Sequence, residues 1–145
     1  MIYGIGLPRT GSSSLAAALR ILGYEGSSWC ALHAEGEVSP TLKEFWVDNG
    51  YYETFGLFDI HKDDKVILTT RNADDWRASI ERQREHTEHR YLVLPDISTY
   101  EQQVRWQVPS NQLLVVSWDE GHRWEKLCAF LGHPVPDVPF PCVNC

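Results

Sequence analysis

The stretch that decides the fold lies at the N-terminus, where residues 2–15 read IYGIGLPRTGSSSL. The apolar run of residues 2–6 is short, ends in glycine and is typical of a buried strand. Residues 13–22 predict a helix, because their leucines recur three and four positions apart and Gly23 follows as a stop. The chain therefore begins with a strand, a glycine-bounded turn and a helix.

Similar patterns recur along the rest of the chain. Strands are predicted at residues 65–70 and 112–117, and helices at 74–88, 99–108 and 122–131, with Asn72 or Asp74 as the cap of the first of these helices. This alternation predicts one α/β domain over residues 1–145, a three-layer P-loop-type parallel sheet with helices on both faces. Right-handed crossovers place all strand-to-helix turns at one edge of such a sheet, where ligands bind. Residues 27–61 have no readable periodicity.

Composition narrows the class of protein. The 145 residues are 43% hydrophobic, which is enough for a real core, and the formal net charge is −7. That charge argues against binding to nucleic acid or to an anionic membrane, although a few arginines in a cleft still allow a small polyanionic ligand. No apolar run is long enough to span a bilayer, and residues 1–5 do not resemble an export signal. A cytoplasmic protein is expected.

The cysteines and histidines predict no metal site. The four cysteines (Cys30, Cys128, Cys142 and Cys145) have irregular spacings and are expected to be free thiols in a protein without an export signal. His86 and His89 stand among charged residues, which is more typical of a solvated helix face than of a metal pair.

The turn between the first strand and helix has the composition of an anion-binding loop. Gly6 and Gly11 bracket Arg9, and three serines open the helix. Glycines allow close backbone approach, a helix N-terminus favours an anion, and arginine adds a forked cation. The spacing fits a nucleotidase P-loop, but Ser12 stands where the lysine belongs, which argues against ATP or GTP hydrolysis. The alternative is a glycine-bounded turn with a serine cap and no ligand.

A second pair of anion-binding residues follows the strand at residues 65–70. Arg71 stands at the strand's carboxyl end, and Ser79 lies in the second turn of the next helix. Taken alone, the pair is better explained without a ligand, with Arg71 in a surface ion pair with Asp74 or Asp75 and Ser79 as a small packing residue. Together with the first turn, the pair predicts two phosphate sites separated by a nucleoside.

These stretches resemble the sulfotransferases that use 3′-phosphoadenosine 5′-phosphosulfate (PAPS). Residues 6–15 look like the 5′-phosphosulfate loop of that family, and residues 66–76 with Ser79 look like its 3′-phosphate motif. Residues 111–116, 124–132 and 135–141 are similar to one sulfotransferase-like P-loop family. The resemblance implies metal-free transfer of a sulfuryl group from PAPS to a hydroxyl or amine of a small-molecule or glycan acceptor.

Site residues follow from the resemblance by position. It implies that the 5′-phosphosulfate is held by Arg9, Thr10, Gly11, Ser12 and Ser13. It implies that Arg71 and Ser79 hold the 3′-phosphate. Arg9 is also expected to act in catalysis, by stabilising charge on the bridging and phosphate oxygens.

The acceptor needs a general base, and three residues are candidates. Glu53 ranks first because it aligns loosely with an acidic position of the family, and His33 and Asp59 follow. Each is equally explained as a surface or loop residue. Trp29, Trp46 and Trp118 are candidates for stacking on adenine, although most tryptophans are expected in the core.

Two other functions stay open from the sequence. A P-loop nucleotide kinase or hydrolase predicts magnesium-dependent binding of ATP or GTP. A non-catalytic nucleotide-binding relic predicts binding of the bisphosphate product without transfer. A homo-oligomer is compatible with the sequence.

Overall fold

A computed structural model describes residues 1–28, 44–47, 60–86 and 94–143. Within these ranges, five parallel strands form one sheet in the order β2-β3-β1-β4-β5. The strands are β1 (Ile2–Gly4), β2 (Gly26–Ser28), β3 (Phe45–Val47), β4 (Lys65–Thr69) and β5 (Leu113–Val116). The helices of the same ranges are α1 (Ser12–Ile21), α2 (Ala73–His86), α3 (Ile97–Gln107) and α4 (Arg123–Leu131). Short 3₁₀ turns at Ser110–Gln112 and Trp118–Glu120 flank β5.

Helices cover both faces of the sheet, so the predicted three-layer α/β fold is confirmed. On one face, α1 and α4 pack against the sheet through Leu15, Leu19, Leu127 and Leu131. On the other face, α2 and α3 pack through Trp76, Ile80, Tyr100 and Val104. Successive residues of β4 alternate between these two cores, with Ile67 in the first and Val66 and Leu68 in the second. Burial on both faces explains why β4 is a continuous apolar run rather than an alternating one.

The helices that follow two adjacent strands, β1 and β4, pack on opposite faces of the sheet. The helix after β1 lies on one face, the helix after β4 lies on the other, and β1 and β4 are paired in register from Ile2 and Lys65. In open α/β sheets, ligands bind outside the carboxyl ends of strands at such a switch point. The topology therefore marks the carboxyl ends of β1 and β4 as the place for a ligand.

Local signals located most elements to within one or two residues. Asn72, one of the two predicted caps, caps α2: its Oδ1 accepts from the backbone N–H of Asp74 at 2.9 Å and of Asp75 at 3.2 Å. α3 begins two residues earlier than predicted because Asp96 is its cap and accepts from the N–H of Thr99. The hydrogen bond to Thr99 and the contact with Arg77 lower the pKa of the Asp96 carboxyl. β2 and β3 were not predicted, because three residues carry too little periodicity.

The cysteine expectation is wrong at one position. Cys142 is in a disulfide bond whose partner lies outside the described residues, whereas Cys128 is a free, buried thiol. The C-terminal segment that contains Cys142 also packs on the fold: the Phe140 ring lies 4.6 Å from the ring of Trp118, and the Val143 N–H donates to Ser14 Oγ at 3.0 Å. Among the described residues, no helix is long and apolar enough to cross a membrane.

Candidate functional site

The turn between β1 and α1, residues 5–11, has an unusual backbone. Arg9 has φ 66° and Gly11 has φ 86°, so two left-handed residues flank Thr10. Left-handed geometry is costly for a residue with a Cβ, and a non-glycine residue that keeps it is a candidate for function. The β1–α1 turn is therefore held in a strained shape by its surroundings.

Two glycines of this turn have no room for a side chain. A Cβ on Gly6 would collide with Thr69 Oγ1 and stand 2.7 Å from Thr10 Oγ1, and a Cβ on Gly11 would collide with the Trp118 ring. Thr10 Oγ1 lies 2.8 Å from Thr69 Oγ1 and donates to the Leu7 carbonyl at 2.6 Å. The glycines that the sequence marked as permissive are thus required by close packing.

The start of α1 differs from the starts of α2 and α3. Its N-cap is Gly11, and no described side chain caps it, whereas Asn72 and Asp96 cap the other two helices. The alternative in which a serine merely caps this helix is therefore not what the structure shows. Ser12 and Ser13 lie in the first turn of α1, with its amide groups and its positive dipole end.

Arg9 contacts the second predicted phosphate motif directly. Its Nε donates to Ser79 Oγ at 3.0 Å, although the two residues are 70 positions apart. Ser79 is 2% exposed, so the contact is anchored in packed protein. Nε is one of five guanidinium N–H donors, and no described residue accepts from the others. The structure thus brings the two predicted phosphate motifs into contact through Arg9 and Ser79.

Arg71 lies just beyond β4 and is paired with a carboxylate that the sequence did not indicate. Its Nε stands 3.4 Å from Asp119 Oδ2, in the 3₁₀ turn after β5. The proposed partners Asp74 and Asp75 do not form this pair in the structure; Asp74 pairs with Arg77. The Arg71 side chain is 29% exposed and that of Asp119 is 61% exposed, so solvent screens the pair.

The two arginines therefore share one edge of the sheet. Arg9 follows β1 and Arg71 follows β4, and these strands are adjacent and parallel. Both arginines stand at the carboxyl ends of the strands, at the switch point described above. An arrangement with the arginines at opposite ends of the sheet, which would separate the two predicted phosphate sites, is excluded.

Other predicted site residues are placed differently or not at all. Glu53, His33, Asp59 and Trp29 lie outside the described residues. Trp46 in β3 and Trp118 are each 7% exposed, and the Trp118 ring packs on Phe140.

Two tryptophans contact the β1–α1 turn, and the sequence predicted neither contact. The Trp76 Nε1–H donates to the Pro8 carbonyl at 2.9 Å, and the Trp118 Nε1–H donates to the Gly11 carbonyl at 3.0 Å. Trp118 was predicted only as a candidate for stacking on adenine, and Trp76 was noted only as part of the stretch that resembles the 3′-phosphate motif.

Comparison with known families agrees with the predicted resemblance. Residues 94–145 match the family model described as a sulfotransferase domain. The matched segment contains α3, β5 and α4 and covers less than half of the chain; over this segment the chain is similar to a sulfotransferase domain. No curated protein shows a significant match to the chain. The match does not extend over the β1–α1 turn or Arg71, whose predicted roles rest on their own motifs and geometry.

Proposed function

Starting from the sulfotransferase-domain match of residues 94–145, we propose that this protein transfers a sulfuryl group from PAPS to a hydroxyl or amine acceptor. The nucleotide would lie across the carboxyl ends of β1 and β4. The observation that carries this proposal is the position of Arg9 and Arg71 at the ends of two adjacent strands. Two cationic groups at one switch point suit a ligand with an anion at each end of a nucleoside.

The 5′ side of the nucleotide is assigned to the β1–α1 turn. Arg9, the backbone of Thr10 and Gly11, and the first turn of α1 with Ser12 and Ser13 supply cationic and hydrogen-bond donor groups. The absence of side chains at Gly6 and Gly11 lets the turn pack closely against Thr69 and Trp118, which hold its backbone in place. Ser12 replaces the lysine that would reach the outer phosphates of a triphosphate, so the turn suits a phosphosulfate better than ATP.

The 3′ side is assigned to Arg71 and Ser79. The Ser79 hydroxyl already accepts a hydrogen bond from Arg9, so it links the residues assigned to the 3′ side with those assigned to the 5′ side. Arg71 would exchange its ion pair with Asp119 for the 3′-phosphate, since a phosphate offers a more highly charged and bidentate partner than an exposed carboxylate.

The reaction needs charge stabilisation more than covalent chemistry. The bond between sulfur and the bridging oxygen of the phosphosulfate breaks, and a bond forms between sulfur and the acceptor oxygen or nitrogen. The acceptor proton passes to a base, and adenosine 3′,5′-bisphosphate leaves. Arg9 would stabilise the negative charge that develops on the leaving phosphate. Glu53, His33 and Asp59 stay predictions for the base.

Binding of the bisphosphate product tests the proposal directly. In isothermal calorimetry we expect adenosine 3′,5′-bisphosphate to bind more tightly than AMP. Arg71→Ala should weaken bisphosphate binding by about 10- to 100-fold and leave AMP binding nearly unchanged, because only the 3′-phosphate loses a charged hydrogen-bond partner.

Arg77→Ala is the matched control for this measurement. Arg77 lies on the same helix as Ser79, but its guanidinium is exposed and paired with Asp74 and Asp96. The variant should bind both ligands as the wild type does. If the wild type does not bind the bisphosphate at millimolar concentration, the proposal is wrong.

Removing the charge of Asp119 should strengthen bisphosphate binding. Asp119→Asn keeps the size of the side chain but frees Arg71 from its competing partner, so we expect affinity to rise about two- to fivefold at low salt. The gain should shrink as salt is added. Asp63→Asn makes the same change of net charge at the amino end of β4 and serves as the control. Equal effects of the two variants would show that only net charge matters.

A further inference from the structure

Three ring side chains from separate elements hydrogen-bond to backbone carbonyls of the β1–α1 turn. The contacts are Tyr100 Oη–H to Ile5 O at 2.7 Å, Trp76 Nε1–H to Pro8 O at 2.9 Å, and Trp118 Nε1–H to Gly11 O at 3.0 Å. The donors come from α3, from α2 and from the turn after β5. The carbonyls of a single turn are thus held by three distant parts of the fold.

Holding a carbonyl also fixes the direction of the next amide. The peptide group is planar and trans, so its C=O and N–H point in opposite directions. The Pro8 carbonyl shares its peptide plane with the Arg9 N–H, and the Gly11 carbonyl shares its plane with the Ser12 N–H. Each indole therefore turns one amide away from itself and keeps the carbonyl oxygen, which would repel an anion, on its own side.

The indoles are buried, which makes these hydrogen bonds costly to break. Trp76 is 5% exposed and Trp118 is 7% exposed, so a released Pro8 carbonyl would find little water. The Gly11 carbonyl also accepts from the Leu15 N–H at 3.1 Å, so it shares its orientation between Trp118 and the first turn of α1. Burial also raises the pKa of the Tyr100 hydroxyl, which stays a protonated donor at neutral pH. Within the part of the chain that the structure describes, the backbone N–H of Gly11 donates to no carbonyl, as expected for an amide that serves a ligand.

We propose that Trp76 and Trp118 are positioning residues for the 5′-phosphosulfate: their indole N–H groups orient the Arg9 and Ser12 peptide planes toward the anion. This inference rests on the proposed function. It assigns to the two rings a role in pre-organising donors, so that the turn binds an anion without a further loss of conformational entropy. Neither ring is then an adenine platform.

Trp76→Phe and Trp118→Phe test this role, because each keeps an aromatic ring but deletes the N–H. We expect Trp76→Phe to bind adenosine 3′,5′-bisphosphate about tenfold more weakly than the wild type in calorimetry. The loss in Trp118→Phe should be smaller, about two- to fivefold, because the Leu15 N–H still holds the Gly11 carbonyl. Binding of 3′-AMP, which lacks the 5′-phosphate, should not change. With saturating bisphosphate, the Arg9 amide should be less protected from hydrogen exchange in Trp76→Phe than in the wild type.

Trp124→Phe is the matched control. It also deletes an indole N–H bonded to a carbonyl at 2.9 Å, but that carbonyl belongs to Val138 in the C-terminal segment. The variant should bind both ligands normally even if its melting temperature falls. A merely structural role for Trp76 and Trp118 predicts the same behaviour for their variants.

The outcomes separate the inference from the function on which it rests. Wild-type protein that binds neither ligand overturns the proposed function and this inference together. Wild-type binding with unchanged affinity in both folded variants, or with equal losses for the two ligands, overturns the inference alone. If one variant does not fold, the other carries the same test.

Discussion

Arg9→Ala should lower the rate of sulfuryl transfer by about 100- to 1,000-fold, the cost of removing one pre-organised donor from a developing anion. The alanine keeps the Cβ at a residue with φ 66°, so backbone strain stays and the guanidinium alone is removed. The variant also loses the hydrogen bond to Ser79, which connects the β1–α1 turn to the predicted 3′-phosphate residues. The assay measures transfer of labelled sulfate from PAPS to a panel of hydroxyl and amine acceptors, and its release into water.

Two further variants make this result interpretable. Arg9→Lys keeps a positive charge without the fork and should recover only part of the activity, because a lysine cannot bind Ser79 and a phosphosulfate oxygen with the same geometry. Arg105→Ala removes an exposed arginine that pairs with Glu101 and should leave the rate unchanged. Wild-type rates in Arg9→Ala would remove Arg9 from the mechanism, whatever the bisphosphate affinity.

Gly6→Ala should abolish measurable binding of the bisphosphate and lower stability. The new methyl group would collide with Thr69 Oγ1 and stand 2.8 Å from the Thr69 carbonyl, so the β1–α1 turn must move away from β4. Overpacking of this kind costs about 1–3 kcal/mol, and the displaced turn no longer presents its amides to the 5′ side of the nucleotide. Calorimetry and thermal unfolding measure the two effects separately.

The matched control is Gly23→Ala at the other end of α1. Gly23 has φ 96° and open space where a methyl group would lie, so alanine there adds only backbone strain of about 1–2 kcal/mol. Stability should fall while bisphosphate binding is kept. Combining Gly6→Ala with Thr69→Ala removes the hydroxyl that collides and should restore part of the binding. Full binding by Gly6→Ala alone contradicts the close-packing argument.

Much of the fold was predictable because its signals are local. A glycine-ended apolar run, periodic leucines and a following glycine locate β1 and α1, and the apolar run from Lys65 with Asn72 behind it locates β4 and α2. Each signal is contained within one turn of helix or one strand, where propensity and capping act. β2 and β3 could not be predicted, because each has only three residues. These residues form strands only because they pair with neighbouring strands of the sheet.

The candidate site also has a part that local sequence predicted and a part that only long-range contacts determine. The residue types near each strand end predicted two anion-binding groups, but not their partners. Arg9 meets Ser79 across 70 positions, and the indoles of Trp76 and Trp118 reach the β1–α1 turn across 68 and 107 positions. Contacts at such separations depend on the order of strands and the faces on which helices pack, which no local pattern encodes.

The amino-acid sequence by itself determined the strand–turn–helix units, the glycines and arginines at their turns, and hence the prediction of an anionic ligand. The tertiary structure alone decided that Arg71 pairs with Asp119, that Ser79 holds Arg9, and that buried indoles bond to the turn. The reason is physical: composition and periodicity act within a few residues, whereas a binding site forms where packing brings distant donors to one edge of the sheet.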